Sequence, residues 1–529
     1  MSGTPTGGKT GAKVGAKVGP IRLFRGFMTV GLWTLASRLL GFVRDVMIAA
    51  YLGAGPVAEA FLVAFSLPNM FRRFFAEGAF NTAFVPIFAK KVEAGENPAG
   101  FGQDALSALA AVLIGFTLLA QLAMPLLVLA MAGGFAGDER FDLTVHFGRV
   151  TFPYLLFISL AALLSGVLNA LGRFAAAAAA PVLLNVVLIG AMALADRLGH
   201  DIGQALVWAV SVAGLAQLVL VWLAVERAGL RLRPVWPRVT PELRHLAAVA
   251  VPAALAGGVV QVNLLVGRQV ASFFDGAVAW LAYADRLYQL PLGVVGIAIG
   301  VVLLPELSRR LRAGDAVAGA ASVNRAAEFS LVLTLPAAVA LVAIPGPLVG
   351  VLFERGAFGP EDTRATALAV AIYGAGLPAF VLHKVVQPVF FAREDTTSPF
   401  RYSLWAMAVN AGLAIGLAPV LGFAAAAIAT TVAGWTMLWQ LWRGARAFGL
   451  AGQVDERLAR SAPRILLASL IMGAALVPAA GWMGGWLEPG GPRLLALAGL
   501  ICLGAAVYLA ALAGTRAFRL ADLRSAVRR

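Results

Sequence analysis

Arginines set inside apolar stretches are the residues of this sequence most suited to chemistry. Arg38, Arg44 and Asp45 share the stretch Ser37-Arg-Leu-Leu-Gly-Phe-Val-Arg-Asp45. Arg72, Arg73 and Glu77 share the next, Leu67-Pro-Asn-Met-Phe-Arg-Arg-Phe-Phe-Ala-Glu-Gly-Ala-Phe80. Asp285 and Arg286 recur downstream in Tyr283-Ala-Asp-Arg-Leu-Tyr288. Five arginines against Asp45, Glu77 and Asp285 leave a net charge of +2. A charge at bilayer depth costs roughly 2.5–3.5 kcal/mol, so such residues face a wet cavity or a partner. Guanidinium forks bind phosphate bidentately and stay charged when partly dehydrated. The chemistry this set suits is capture of an anion.

Buried ion pairing is the competing reading. Arg73 and Glu77 are four apart and can pair on one helix face, and Asp285 and Arg286 are the other expected pair. Both pairs would lock the first, second and eighth apolar segments together. Arg38 and Asp45, seven apart, share a face about two turns apart, with Arg44 roughly 120° round from Arg38. For Arg38, Arg44 and Arg72 the surplus positive charge favours a ligand. Glu59 falls at the rim of the second segment, and Arg268 lies deep in the seventh without a partner in sequence. Lys384 and Arg149 are expected near helix ends, where long side chains snorkel. His383 reads as packing, and Asn185, Asn263 and Asn410 as interhelical hydrogen bonds. No Walker loop, HExxH or nucleophile elbow occurs, which argues against an ATP-driven pump. One cysteine, Cys502, excludes a disulfide framework or a cysteine metal site within the chain.

The elements that must carry these residues are membrane helices. The 529 residues are 60% hydrophobic and 13% charged, against about 25% charged for soluble domains. Stretches of about 20 apolar residues fall at 27–51, 58–89, 105–132, 143–171, 178–196, 202–226, 245–273, 276–304, 326–353, 365–391, 402–420, 424–442, 465–486 and 494–514. These make fourteen segments of an all-α polytopic membrane protein. With the N-terminus inside, 29 of the 42 lysines and arginines fall in tails and loops on the cytoplasmic side. Five, Arg140, Arg197, Arg355, Arg364 and Arg493, fall on the other. That asymmetry places both termini in the cytoplasm. It also accounts for the formal charge of +15 without nucleic acid as a partner. The Lys-rich N-terminus leads into an uncleaved first helix rather than a signal peptide.

An internal repeat is visible. Val85-Pro-Ile-Phe-Ala-Lys-Lys-Val-Glu-Ala-Gly-Glu96 matches Leu304-Pro-Glu-Leu-Ser-Arg-Arg-Leu-Arg-Ala-Gly-Asp315 at an offset of 219. A looser match joins Gly172–Pro181 to Ala392–Pro399. Six segments separate the copies, an even number, so the halves are parallel. The expected organisation is a basic tail (1–26), an N-lobe of six helices (27–226) and a C-lobe of six (227–442). Two extra helices and a cytosolic tail follow (443–529). A central cationic cavity is expected between the lobes.

At Ser37–Asp45, Leu67–Phe88 and Tyr283–Pro305 the sequence resembles the MurJ (MviN) family of lipid II flippases, within the multidrug, oligosaccharidyl-lipid and polysaccharide exporters. The run Leu-Pro-Asn-x-x-Arg-Arg-x-x-Ala-Glu-Gly-Ala-Phe is the specific part. The resemblance implies that the family's essential cavity arginines correspond to Arg38, Arg44, Arg72 and Arg286. It also implies that the acid at the start of the second helix, usually Asp, is Glu59 here. The implied substrate is undecaprenyl-diphosphate carrying the peptidoglycan disaccharide-pentapeptide. It would be flipped from the inner to the outer leaflet of the bacterial inner membrane by alternating access. Such a protein is a transporter and not an enzyme, and it serves cell-wall biogenesis and cell shape. The last two helices, free of internal basic residues, are expected to line a groove for the lipid tail. No cofactor or metal is expected; membrane potential or a monovalent cation gradient would supply the energy. Besides lipid II and membrane lipids, the cell-wall synthesis machinery is a candidate partner.

Three alternatives follow from the same residues. A multidrug or cation antiporter would want acids and aromatics in its cavity. A polysaccharide-repeat flippase would differ mainly in headgroup. An enzyme acting on polyprenyl diphosphate would need acids placed for a metal or for proton transfer, and the intramembrane acids here are few and sit beside arginines.

Overall fold

Backbone N–H and C=O groups find no partner in hydrocarbon, so a chain that crosses it satisfies them internally, as helix. The computed structural model describes residues 20–73, 75, 79–313 and 315–516, and among these no strand occurs. The expected tail residues 1–19 and 517–529, and Glu77, lie outside the described residues. The first half runs α1 (Pro20–Leu52), α2 (Pro56–Arg72), α3 (Ala79–Ala94), α4 (Pro98–Leu122), α5 (Met124–Ala132), α6 (Glu139–Thr151), α7 (Tyr154–Ala170), α8 (Ala175–Leu198) and α9 (Ile202–Arg227). The second runs α10 (Pro241–Ala271), α11 (Ala277–Arg312), α12 (Ala316–Ala343), α13 (Pro345–Phe353), α14 (Pro360–Phe391), α15 (Thr397–Leu421), α16 (Ala424–Ala445), α17 (Glu456–Trp482), α18 (Gly484–Leu487) and α19 (Arg493–Gly514).

Among the described residues, nine stretches are long and apolar enough to cross a membrane. The other five predicted segments coincide with α1, with α2 and α3 together, and with α10, α11 and α16. Five predicted segments are broken rather than continuous, the thirteenth at Met483, between α17 and α18. The second splits into α2 and α3, of 17 and 16 residues, and the backbone widens to a π turn at Arg73 and Phe75. Such turns gather at functional sites. The fourth splits at Pro153, between α6 and α7. The third and ninth split at Ala123 and Ile344, each just before a proline-containing first turn. The short helices that follow, α5 and α13, are each 9 residues long.

Those two breaks stand 221 residues apart, close to the offset of the sequence repeat. The repeat also closes its helices alike. Glu96 N–H donates to the Lys91 carbonyl at 3.0 Å, and Asp315 N–H donates to the Arg310 carbonyl at 3.0 Å. Both are the long-range bond of a Schellman-type helix end. The next helices open on side-chain caps: Asn97 accepts from Gly100 N–H at 3.1 Å and Asp315 from Ala318 N–H at 2.9 Å. These caps satisfy amides that the helix itself cannot.

Packing divides the chain into two compact units. One comprises residues 1–44, 64–127 and 145–259; the other comprises 45–63, 128–144 and 260–529. In the first, α9 packs against α7 and α8. Aromatic contacts there link Phe71 to Phe116 at 5.0 Å and Phe65 to Tyr154 at 6.2 Å. In the second, the alanine-rich face of α16 lies against α14 and α15, and α17 joins α12 to α19. Small residues allow such close approach where lipid supplies no hydrophobic drive. An ionic network fastens the start of α17: Arg325 pairs with Glu328 and Asp455, and Arg457 reaches Glu328 at 3.1 Å.

Candidate functional site: two sets of arginines

In the first unit, α1 brings Arg44 to α8. The side chain is 8% exposed. Its NH1 donates to Asn185 Oδ1 at 2.9 Å, and its guanidinium lies 6.0 Å from the Phe65 ring centre. Asn185 in turn donates to the Ser37 carbonyl at 3.0 Å and packs on Gly41. The expected interhelical asparagine is therefore also the support of Arg44. It orients a guanidinium without adding a negative charge. Arg38 is exposed, and no ion pair to it occurs among the described residues. Arg72, half-buried, ends α2, and Arg73 is exposed at the π turn. The expected Arg73–Glu77 pair lies outside the described residues.

In the second unit the arginines meet carboxylates. Arg286 Nε donates to Asp45 Oδ2 at 2.8 Å; Arg286 is 43% exposed while Asp45 is buried. The expected pairing of Asp285 with Arg286 is thereby corrected. Neighbours in sequence project about 100° apart on a helix and do not face each other. Asp285 instead accepts from Gln289, one turn along α11. Arg268, half-buried on α10, is within electrostatic reach of Asp285, so it is not the isolated cation expected.

Glu59 departs furthest from expectation. It lies in the first turn of α2, at the rim of the segment, yet is only 1% exposed. Its Oε2 accepts from Arg140 NH1 at 3.0 Å and its Oε1 from Val278 N–H at 3.0 Å. Arg140 also binds Asp138 at 2.6 Å and Asp275 at 3.0 Å, and lies 4.5 Å from the Phe135 ring centre. The Arg140 guanidinium holds the Asp138 carboxyl below its usual range. Sequence reading counted Arg140 as a loop cation and missed this role. The available signal was an arginine on the side of the protein where basic residues are scarce.

The remaining candidates are structural or peripheral. Arg149 donates to the Gln121 carbonyl at 3.4 Å, beside the α4–α5 break. His383 bonds the Gly434 carbonyl at 2.7 Å. Lys384 is exposed on α14, seven residues before its end. No metal-binding group of acids, histidines or cysteines occurs among the described residues.

An apolar cavity of about 340 Å³ opens between α12, α14 and α17, lined by Val339, Val342, Ala375, Pro378, Leu470 and Val477 among others. Gly473 lets α17 approach α12, since a Cβ there would stand 2.5 Å from Val339. The thirteenth predicted helix, α17, forms one wall of this cavity, and the fourteenth, α19, does not line it. Its place is taken by α12 and α14.

The profile of the family described as "Lipid II flippase MurJ" matches residues 48–487. A Rhizobium meliloti protein called "Probable lipid II flippase MurJ" is 47% identical over 517 residues, covering 96% of each chain. The chain belongs to the lipid II flippase MurJ family. A Vibrio cholerae member is 34% identical, covering 96% of this chain and 98% of its own. Among solved structures, "Lipid II flippase MurJ, inward closed conformation" superposes with a TM-score of 0.77 at 24% identity, over 92% of this chain and 98% of that one. An inward-facing multidrug MATE transporter superposes at 0.64 and 14% identity, over 79% of this chain and 96% of that one. The fold is thus shared with that transporter. In this MurJ family member the buried guanidinium of Arg44 is hydrogen-bonded to an amide.

Proposed function

We propose that this protein flips lipid II from the cytoplasmic to the outer leaflet of the bacterial inner membrane. The observation that carries the reading is Arg44, a buried arginine aimed by the neutral Asn185 in a chain of the MurJ family. A diphosphate carries several anionic oxygens, and guanidinium forks match them in charge and geometry. Arg38, Arg44, Arg72 and Arg286 are the residues proposed to take it, with Arg73 a further candidate. Asp45 is proposed as the charge partner of Arg286, Asp285 as that of Arg268, and Glu77 as another. The groove between α12, α14 and α17 suits a polyprenyl chain, which needs apolar walls and no polar contacts.

Both termini lie in the cytoplasm in this reading, so the ends with residues 53–55, 133–138 and 353–359 are outer. The two-lobe division at residues 226 and 442 is proposed from the repeat. Transport runs by alternating access, without a bound cofactor, and draws on membrane potential or a monovalent cation gradient. The cell-wall synthesis machinery is its proposed partner. Complementation tests the reading. Cells that depend on this chain as their only lipid II flippase should die when Arg38→Ala, Arg44→Ala, Arg72→Ala or Arg286→Ala replaces it at equal expression. Survival with all four would overturn the anion-site reading.

A further inference from the structure

We propose that Glu59 and Arg140 form a latch that holds the outer end of the second unit closed, and that Arg140 releases Glu59 whenever that end opens. One carboxylate and one guanidinium join three stretches that are far apart in sequence. Glu59 belongs to the first turn of α2. Arg140 belongs to the first turn of α6. The amide of Val278 and the carboxylate of Asp275 belong to the start of α11 and the turn before it. Weaker polar contacts surround the pair at the same end. Ala357 N–H donates to the Ala50 carbonyl at 2.8 Å, and the Tyr283 hydroxyl to the Gly53 carbonyl at 2.8 Å. Gly133 N–H donates to Gln269 Oε1 and Gly134 N–H to Ser272 Oγ, both at 2.9 Å. Gly356 adopts φ 59°, and a Cβ there would meet the Ala50 carbonyl oxygen at 2.2 Å.

Glu59 decides the energetics. A buried carboxylate tolerates its site only with donors, and removing one partner of a buried pair leaves a charge that the closed arrangement cannot solvate. The four contacts named around the pair are single neutral hydrogen bonds, each with a modest net contribution. Loss of Arg140 therefore penalises the closed end selectively and favours any arrangement in which Glu59 meets water.

The inference rests on the orientation proposed above, but its test reads accessibility rather than transport. In a Cys502→Ser background, Ala279→Cys places a thiol where the parent side chain is 0% exposed, beside Val278. An impermeant maleimide added outside intact cells should label it slowly. Arg140→Gln should raise that rate about tenfold or more and Arg140→Lys less, and Glu59→Gln, which removes the buried carboxylate while Arg140 keeps Asp138 and Asp275, should raise it less than Arg140→Gln. Ala429→Cys, also 0% exposed and near the same end of α16, should stay slow in every variant. Unchanged labelling of Ala279→Cys, or equal opening at Ala429→Cys, overturns the latch. If Arg140→Gln fails to accumulate, Glu59→Gln and Arg140→Lys give the same two outcomes. A chain that labels as expected yet moves no lipid II keeps the latch and loses the transport reading; the reverse result loses only the latch.

Discussion

The two compact units show different partners for Arg44 and for the arginines Arg286 and Arg140. In the first, Arg44 is buried against an amide, Asn185. In the second, Arg286 meets Asp45, and Arg140 meets Glu59, Asp138 and Asp275. An amide fixes the direction of a guanidinium and adds no negative charge. A carboxylate does both, and so turns an arginine into a tie between helices. The ligand-holding role proposed for Arg44 and the fastening seen at Arg286 and Arg140 thus go with different partners.

Exchanging the partners should break that contrast. Asn185→Asp would give the first unit the chemistry of the second. Transport should then fall as far as in Arg44→Ala, by about a hundredfold or more, while thermal stability is kept or raised; headgroup translocation and a melting curve read the two. Asn185→Leu, which removes the aim without adding charge, should cost about tenfold in transport. Asp45→Asn tests the fastener: it should lower stability by roughly 1–2 kcal/mol, discounted because Arg286 is 43% exposed, seen as a fall in melting temperature. The smallest effect belongs to Glu242→Gln. Its pair with Lys91 spans 3.4 Å at an exposed site, so neither transport nor melting temperature should change measurably.

What the sequence disclosed follows from physics that is local. Hydropathy located the nine described stretches long and apolar enough to cross a membrane, and the repeat at an offset of 219 reappears as matched helix ends at Glu96 and Asp315. Partnerships across the fold were less legible. Asp285–Arg286 looked like a pair because the residues adjoin, yet adjacency on a helix separates side chains, and Asp45 is the true partner. Arg140 looked like a loop cation because its three carboxylates lie 81, 2 and 135 positions away in the chain. The breaks at Ala123 and Ile344 were hidden inside continuous apolar runs, marked by Pro125 in one and by Pro345-Gly346-Pro347 in the other.

The most direct test of the central claim uses sealed vesicles carrying labelled lipid II, with a membrane potential applied. Wild type should expose the headgroup on the outer face, and Arg44→Ala, present in equal amount and folded, should not. Equal exposure by the two proteins would contradict the account, because the buried arginine held by Asn185 would then not be what grips the diphosphate.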